Sequence, residues 1–310
     1  KKIVFLTALA GFFTGLYTFA WSGWWYIFDF LLATISLTFL YLLLTNFNEI
    51  RKNIGSFYSN IAIRNIVIIG LLYFFSTAIF ATLISGWPAF RNSFLGPLSF
   101  PSIKEPVSAS LWPNVLTTVA ELNEGSIDAI INSVGGKFLF FISLLGLILA
   151  ISRSEGIKKF DFAYIVASLL FYGILFIRFG SNRPAIYQSI SIISLLIWIM
   201  LPILVRIAIS IYKKDSSYDF KLPLLLSLWI ISTIFASIRG IRFTVLLAPA
   251  FSVAFGVALG KIYSYLSKWL AKELKIQKFI GSGILIVLLL LAYVNPIRGA
   301  ISEAGRDTPI

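Results

Sequence analysis

A chain of 310 residues that is 58% hydrophobic and 13% charged, with mean hydropathy +0.91, carries more apolar surface than one soluble core can hide. The composition reads as a polytopic membrane protein. Cysteine and histidine are both absent, which excludes disulfides, zinc sites, thiol nucleophiles and a Ser-His-Asp triad within the chain. Acid, base or metal chemistry therefore falls to Asp, Glu, Lys, Arg or Tyr. The sequence opens on Lys1-Lys2, not Met, and runs straight into apolar residues with no signal-peptide cleavage site. The expectation is a piece of a longer protein, cut at both ends.

A membrane span needs about 20 apolar residues. Taken in chain order, candidate spans fall at 3–20, 22–47, 64–85, 137–152, 161–178, 186–206, 222–238, 243–260 and 280–295. The organisation is thus three helices in 1–85, one long loop at 86–136, and about six helices in 137–310. With the N-terminus in the cytoplasm, the inner segments hold 17 of the 26 Lys and Arg residues, so the positive-inside rule puts the loop at 86–136 outside. The basic charge is divided among separate inner loops, Arg206 counted among them. That pattern favours anionic membrane lipid as a partner and not nucleic acid. In 261–279, Lys268, Lys272 and Lys275 alternate with Tyr265, Leu266, Trp269, Leu270 and Leu274. This predicts a basic amphipathic helix lying on the cytoplasmic surface.

Asp29 lies within the second span, where an acid is either functional or a hydrogen-bonded structural group. Trp24 and Trp25 beside it suit an interfacial aromatic belt. The segment 86–136 holds five of the eleven prolines, which predicts no regular helix through most of it. A loop of this length is uncommon without a function. A helical turn is expected at 126–134, capped by Ser126, with Asp128 at the positive end of its dipole. Glu121 differs from Glu105, Glu124 and Asp128 in standing among apolar residues, Val119, Ala120 and Leu122. Further on, Arg178 and Arg183 mark the outer tip of a hairpin at 161–206, as anchors or as functional groups. Arg242, beside Arg239, stands at the external end of an apolar hairpin, a costly place for an unpaired guanidinium.

The run Trp112-Pro113-Asn114-Val115-Leu116-Thr117-Thr118-Val119-Ala120-Glu121-Leu122 resembles the W-P-N-V and T-V-A-E motif of archaeal oligosaccharyltransferase catalytic subunits, the AglB family, related to bacterial PglB. A second run, Ile238 to Pro249 with Arg242-Phe243 inside it, resembles that family's R-F-x-x-x-x-x-P stretch. Weaker likenesses are the Trp21-Ser22-Gly23 turn and the tail Gly305 to Pro309. The resemblance implies an all-α membrane domain of the GT-C type. It also implies transfer of an oligosaccharide from a dolichyl (polyprenyl) phosphate or diphosphate carrier to asparagine in N-x-S/T, at the extracellular face of the cell membrane. By the motif, Thr118, Val119, Ala120 and Glu121 form the catalytic stretch. Glu121 is the catalytic carboxylate and one ligand of Mn2+ or Mg2+, and Arg242, with Arg239, binds the donor diphosphate. A planar guanidinium suits a pair of phosphate oxygens.

The family's D-x-D and W-W-D-x-G motifs are absent from this sequence. Glu121 is then a lone carboxylate, and a hard cation takes several oxygen ligands, so residues 1–310 alone are expected to be inactive. Two other classes stay open. One is a different lipid-carrier glycosyltransferase, such as an O-antigen ligase-like enzyme, which also combines many spans with one long external loop and essential arginines. The other is a transporter, which would show broken helices repeated in two halves. No such repeat is visible.

Overall fold

In a computed structural model of the chain, the residues described are 2–21, 23–99, 125–151, 159–178, 192–213, 218–273 and scattered positions between 279 and 302. Every regular element among them is helical. The first group comprises α1 (Lys2–Ala20), α2 (Trp25–Thr45), the short α3 (Phe47–Lys52) and α4 (Gly55–Ser59), α5 (Ile61–Ser85) and α6 (Trp87–Ser99). The second comprises α7 (Ile127–Ser133), α8 (Gly136–Ala150), α9 (Lys159–Arg178), α10 (Ile192–Lys213), α11 (Lys221–Arg239), a 3-10 turn (Ile241–Phe243) and α12 (Thr244–Glu273). Among the described residues five helices are long and apolar enough to cross a membrane, or six if the bent pair α7–α8 is one span. The chain is an all-α polytopic membrane protein. Helices also stand where spans were expected at 161–178 and 186–206 (α9 and α10), whereas 280–295 is described only at isolated positions.

Apolar side chains gain nothing from leaving lipid for a helix interface, so close van der Waals packing must join the helices. Gly11 and Gly15, four apart on α1, provide it against α5. A Cβ on Gly11 would stand 1.7 Å from Ser76 Oγ, and one on Gly15 2.9 Å from the Ala81 nitrogen. Buried Tyr73 adds a hydroxyl contact to Thr14 at 3.2 Å. On the other side of the molecule, Gly146 of α8 meets the backbone of α12, where a Cβ would lie 1.9 Å from Ala254 O. Ala250, Ala254 and Ala258 form the matching small-residue stripe, all fully buried. Helix α2 joins the two halves near its C-terminus, through Tyr41 stacked edge-on to Phe220 at 4.9 Å and bonded to Ser210 Oγ at 2.9 Å.

Helix ends follow local chemistry. Asn60 caps α5 by accepting from the Ala62 and Ile63 amides at 3.0 and 3.2 Å. Ser126 caps α7, as expected, accepting from Ala129 N at 3.1 Å. Gly135 and Gly136, with φ of 97° and 90°, occupy the region that side chains disfavour and turn the chain by 83° between α7 and α8.

Four expectations are corrected. The stretch Trp87–Ser99 is helical despite its prolines. Pro88 is the second residue, where the missing N–H is one the helix leaves unpaired anyway, and Pro97 falls in the last turn, where it removes one bond at the end of the ladder. The basic stretch after residue 260 is no separate surface helix up to Glu273: it continues α12, which runs 30 residues. No breaker follows Gly260 within it, and Lys, Leu and Ala are strong helix formers. At about 45 Å the helix outruns the roughly 30 Å of hydrocarbon, so its lysine-bearing end has length to spare beyond the bilayer core. Trp24 is not an interfacial belt residue; it is 2% exposed and packs on Phe28 at 5.9 Å.

The fourth correction is Arg206, placed by its charge in an inner loop. It lies inside α10, 2% exposed, and is ion-paired with buried Asp161 of α9. Tyr218 lies between the two and donates to Asp161 Oδ1 at 3.1 Å. Its ring, with those of Tyr164 and Phe160, stands 4.3 to 5.1 Å from the guanidinium carbon. Two more bonds tie α9 to α10, from Tyr164 Oη to Pro202 O at 2.9 Å and from Tyr172 Oη to Ile199 O at 2.7 Å.

Candidate functional site

One large cavity, of about 700 Å³, opens between the N-terminal half of α2 and the C-terminal half of α11. That volume is in the range of small-molecule clefts. Along α2 its wall runs from Trp25 to Ser36, twelve residues or roughly 16 Å of helix. Ser232, Thr233, Phe235 and Ala236 of α11 face it, Pro97 of α6 edges it, and Arg242, Phe243 and Leu246 close the remaining side. The lining is mostly apolar and aromatic, and it carries one acid, Asp29, and one base, Arg242.

Local sequence explains how the wall is held. At the W-x-G turn, Trp21 folds over Gly23 so tightly that a Cβ there would lie 2.4 Å from the indole ring. That sets Trp21 edge-on to Tyr26 at 5.7 Å. Gly96 of α6 serves Trp25 in the same way, with a would-be Cβ 2.6 Å from Nε1. On the far wall Gly240 ends α11 in an extended conformation. The 3-10 turn then swings Arg242 to the cavity, with the Phe243 amide bonded to Gly240 O at 3.0 Å. Trp229 Nε1 donates to Leu246 O at 3.0 Å and ties the start of α12 to α11.

Among the described residues neither charge finds an ion-pair partner. Asp29 Oδ2 is buried and has no hydrogen-bond partner among them. This removes the structural-acid reading for that oxygen. Arg242 is exposed to the cavity with its guanidinium 5.0 Å from the Phe243 ring centroid, and among the described residues it forms no ion pair. Arg239, last residue of α11, is half-buried over the Phe235 ring at 5.8 Å and is not part of the cavity wall. Arg178 ends α9; Arg183 lies outside the described residues.

Glu121 and the rest of the Thr118–Ala120 motif also lie outside the described residues. The first described residue after them, Gly125, is pinned beside the cavity's far wall. Its amide donates to Ile238 O at 3.2 Å, and a Cβ would meet Ser237 O at 2.6 Å, so only glycine fits. Among the described residues no three acidic groups come together as a metal site. Asp29 alone falls short of the several oxygens that Mg2+ or Mn2+ takes. The cavity as described therefore makes up no metal centre, and the Glu121 assignment as a ligand stands apart from it.

Sequence reasoning singled out Arg242 and Asp29 separately and did not join them. It also missed Tyr26, Thr233 and Phe235 as wall residues; no spacing signal in an apolar helix distinguishes a cavity face from a lipid face. The only hint was the Trp21-Ser22-Gly23 turn.

No family model matches the chain, and no solved structure matches it. Among curated proteins it is similar to a dolichyl-phosphooligosaccharide-protein glycotransferase of Methanococcus voltae, 26% identical over 308 residues. A protein of the same name from Methanocaldococcus jannaschii is 24% identical over 252 residues. These alignments cover 96% and 79% of this chain. The chain spans 28% and 20% of the length of those relatives. The similarity agrees with the resemblance read from the two motifs.

Proposed function

We propose that this chain, similar over nearly its whole length to archaeal dolichyl-phosphooligosaccharide-protein glycotransferases, forms the donor-binding part of an oligosaccharyltransferase. The full polypeptide would transfer an oligosaccharide from a dolichyl carrier to asparagine in N-x-S/T sequons. The observation that carries the reading is the cavity with Arg242 on its wall. A lipid-linked donor is an apolar chain ended by a phosphate or diphosphate, and the cavity offers an apolar slot beside the Arg242 guanidinium, which forms no ion pair among the described residues. Arg242 would bind the phosphate oxygens and offset the charge that grows on them as the glycan departs.

Glu121 would hydrogen-bond the acceptor amide. An amide nitrogen is a poor nucleophile because its lone pair is delocalised, and a carboxylate on its NH2 group favours a twisted, localised form. Glu121 precedes Gly125 by four residues, a length of chain that reaches at most about 14 Å. The anchorage of Gly125 at Ile238 thus supports a role for Glu121 close to Arg242. Mn2+ or Mg2+ as cofactor is proposed on the family resemblance, with Glu121 as one ligand.

The outer ends of α2, α5 and α11 and the cavity lie on the side that the lysine and arginine distribution makes external. The catalytic face is accordingly proposed to be extracellular. In intact cells, a cysteine placed at Ser126 should react with an impermeant reagent and one at Ser267 should not; the reverse would invert the orientation.

The donor reading is tested with Arg242→Ala in the full gene product, by initial rates against donor concentration at saturating acceptor and matched protein levels. Weakened donor use with unchanged acceptor-peptide binding is expected. Arg242→Lys should recover only part, because an ammonium makes no bidentate contact. Wild-type donor kinetics in Arg242→Ala would leave the residue as a membrane anchor.

A further inference from the structure

We propose that Asp29 reads the sugar of the donor: its carboxylate accepts a hydrogen bond from a hydroxyl or amide N–H of the glycan residue adjoining the phosphate held by Arg242. The inference rests on the donor reading above and adds to it a residue that selects glycosylated over bare carrier.

The argument is one of donors and acceptors. Asp29 lines the same cavity as Arg242, and its buried Oδ2 has no hydrogen-bond partner among the described residues. A buried carboxylate oxygen left unpaired is costly, so the ligand-bound state is expected to supply a partner. No lysine or arginine among the described residues pairs with it. A carboxylate only accepts hydrogen bonds. The phosphate of the donor is itself an acceptor and carries the same sign of charge as an ionised Asp29, so it is a poor partner for the carboxylate. The polyprenyl chain has no polar hydrogen at all. The remaining part of such a donor, the sugar, is rich in O–H and N–H groups.

Depth agrees. Asp29 lies four residues into α2, about 6 Å along the axis from Trp25 at its outer end. Arg242 sits in the turn just before α12, at the same end of the bundle. Both charges are therefore at headgroup level, while Leu32, Ala33 and Ser36 continue the cavity wall deeper along α2. A phosphate on Arg242, a sugar on Asp29 and the first isoprene units along α2 would fill one continuous site.

The test uses the full gene product in lipid nanodiscs and two probes: a short-chain polyprenyl phosphate, and the same lipid phosphate carrying one N-acetylhexosamine. Equilibrium binding of each is measured for the wild type, Asp29→Ala, Asp29→Asn and Arg242→Ala. Loss of a charge-assisted hydrogen bond should weaken binding of the glycosylated probe about 10- to 100-fold in Asp29→Ala. Asp29→Asn, which keeps an acceptor oxygen without the charge, should lose less. Bare polyprenyl phosphate should bind both Asp29 variants as well as it binds the wild type, or better, since a like charge has been removed. That retained binding also shows that the variants are folded. Arg242→Ala should weaken both probes. Equal loss of both probes in Asp29→Asn, or loss of neither in Asp29→Ala, would overturn the assignment of Asp29. If Arg242→Ala weakens neither probe, the donor reading itself fails. If it weakens both while Asp29→Ala changes nothing, only the sugar contact is lost.

Discussion

Among the described residues two sets of one acid and one base, Asp161 with Arg206 and Asp29 with Arg242, are built in opposite ways. Between α9 and α10, Asp161 and Arg206 are 3% and 2% exposed and paired with one another, with three aromatic rings around the guanidinium. At the opposite end of the bundle, the one proposed to be external, Asp29 and Arg242 share a cavity of about 700 Å³ and neither is ion-paired among the described residues. A charge in a membrane segment is costly unless it is neutralised. The inner pair offsets much of that cost through its ion pair and the surrounding rings, although Arg206 Nε and Nη1 find no hydrogen-bond partner among the described residues, and it leaves almost no space beside it. The outer pair leaves it open, with room for a ligand that brings complementary groups. Partnership and adjacent volume, more than the presence of charge, separate a structural pair from a binding site.

The largest expected effect breaks the inner pair. Removing one member of a buried ion pair strands the other and costs about 3–5 kcal/mol. Arg206→Ala or Asp161→Ala should therefore sharply lower the yield and thermal stability of detergent-extracted protein. The double variant Asp161→Leu with Arg206→Met, which leaves no stranded charge, should recover most of it. Asp29→Ala removes a carboxylate whose buried oxygen has no partner, so it should cost little stability or raise it slightly. Equal losses for Asp29→Ala and Asp161→Ala in the same thermal assay would erase the distinction between the two pairs.

Next in size is the chemistry. In the full gene product Glu121→Gln keeps the side chain's size and hydrogen-bonding atoms but removes its charge. Turnover should fall by about two orders of magnitude or more if an electrostatic contact is lost in the transition state. Binding of either lipid probe should stay near wild type, since the proposed donor site uses Asp29 and Arg242 and not Glu121. Initial rates at saturating donor and acceptor give the answer, and wild-type turnover would remove the catalytic assignment.

The contrast also shows what a sequence of this kind discloses. Apolar runs placed α1, α2, α5, α8 and α11 to within a few residues, because a span of 20 apolar residues has few alternatives. The Ser126 cap was visible for the same reason of local chemistry. Proline statistics misjudged α6, because the cost of proline depends on its position in a helix, and Pro88 and Pro97 stand at the two ends. The continuation of α12 to Glu273 was hidden because lysines placed at helical spacing look alike on a surface helix and on the protruding end of a span. Pairing was the least legible. Asp161 and Arg206 lie 45 residues apart, as do no two motifs in the sequence, and only their packing shows which acid belongs to which base. Asp29 and Arg242 are farther apart still, joined by the crossing of α2 and α11 and by no pattern along the chain.

The smallest expected effect sharpens the outer site to a single arginine. The motif brings Arg239 and Arg242 three residues apart, and both were assigned to the donor. The structure separates them at Gly240, where α11 stops and the 3-10 turn begins. Arg242 is carried onto the cavity wall, while Arg239 stays on the helix, half-buried over Phe235 and off the wall. An arginine stacked on an aromatic ring contributes about 0.5–1 kcal/mol where it is exposed. That contribution is to the folded protein, not to the donor. Arg239→Ala should accordingly shift the donor concentration dependence by no more than about twofold, within the effect of a slightly looser helix end. Arg242→Ala should shift it far more in the same assay. Equal shifts would mean that the phosphate lies astride the end of α11, with both guanidinium groups on it, and the site would have to be redrawn around Gly240.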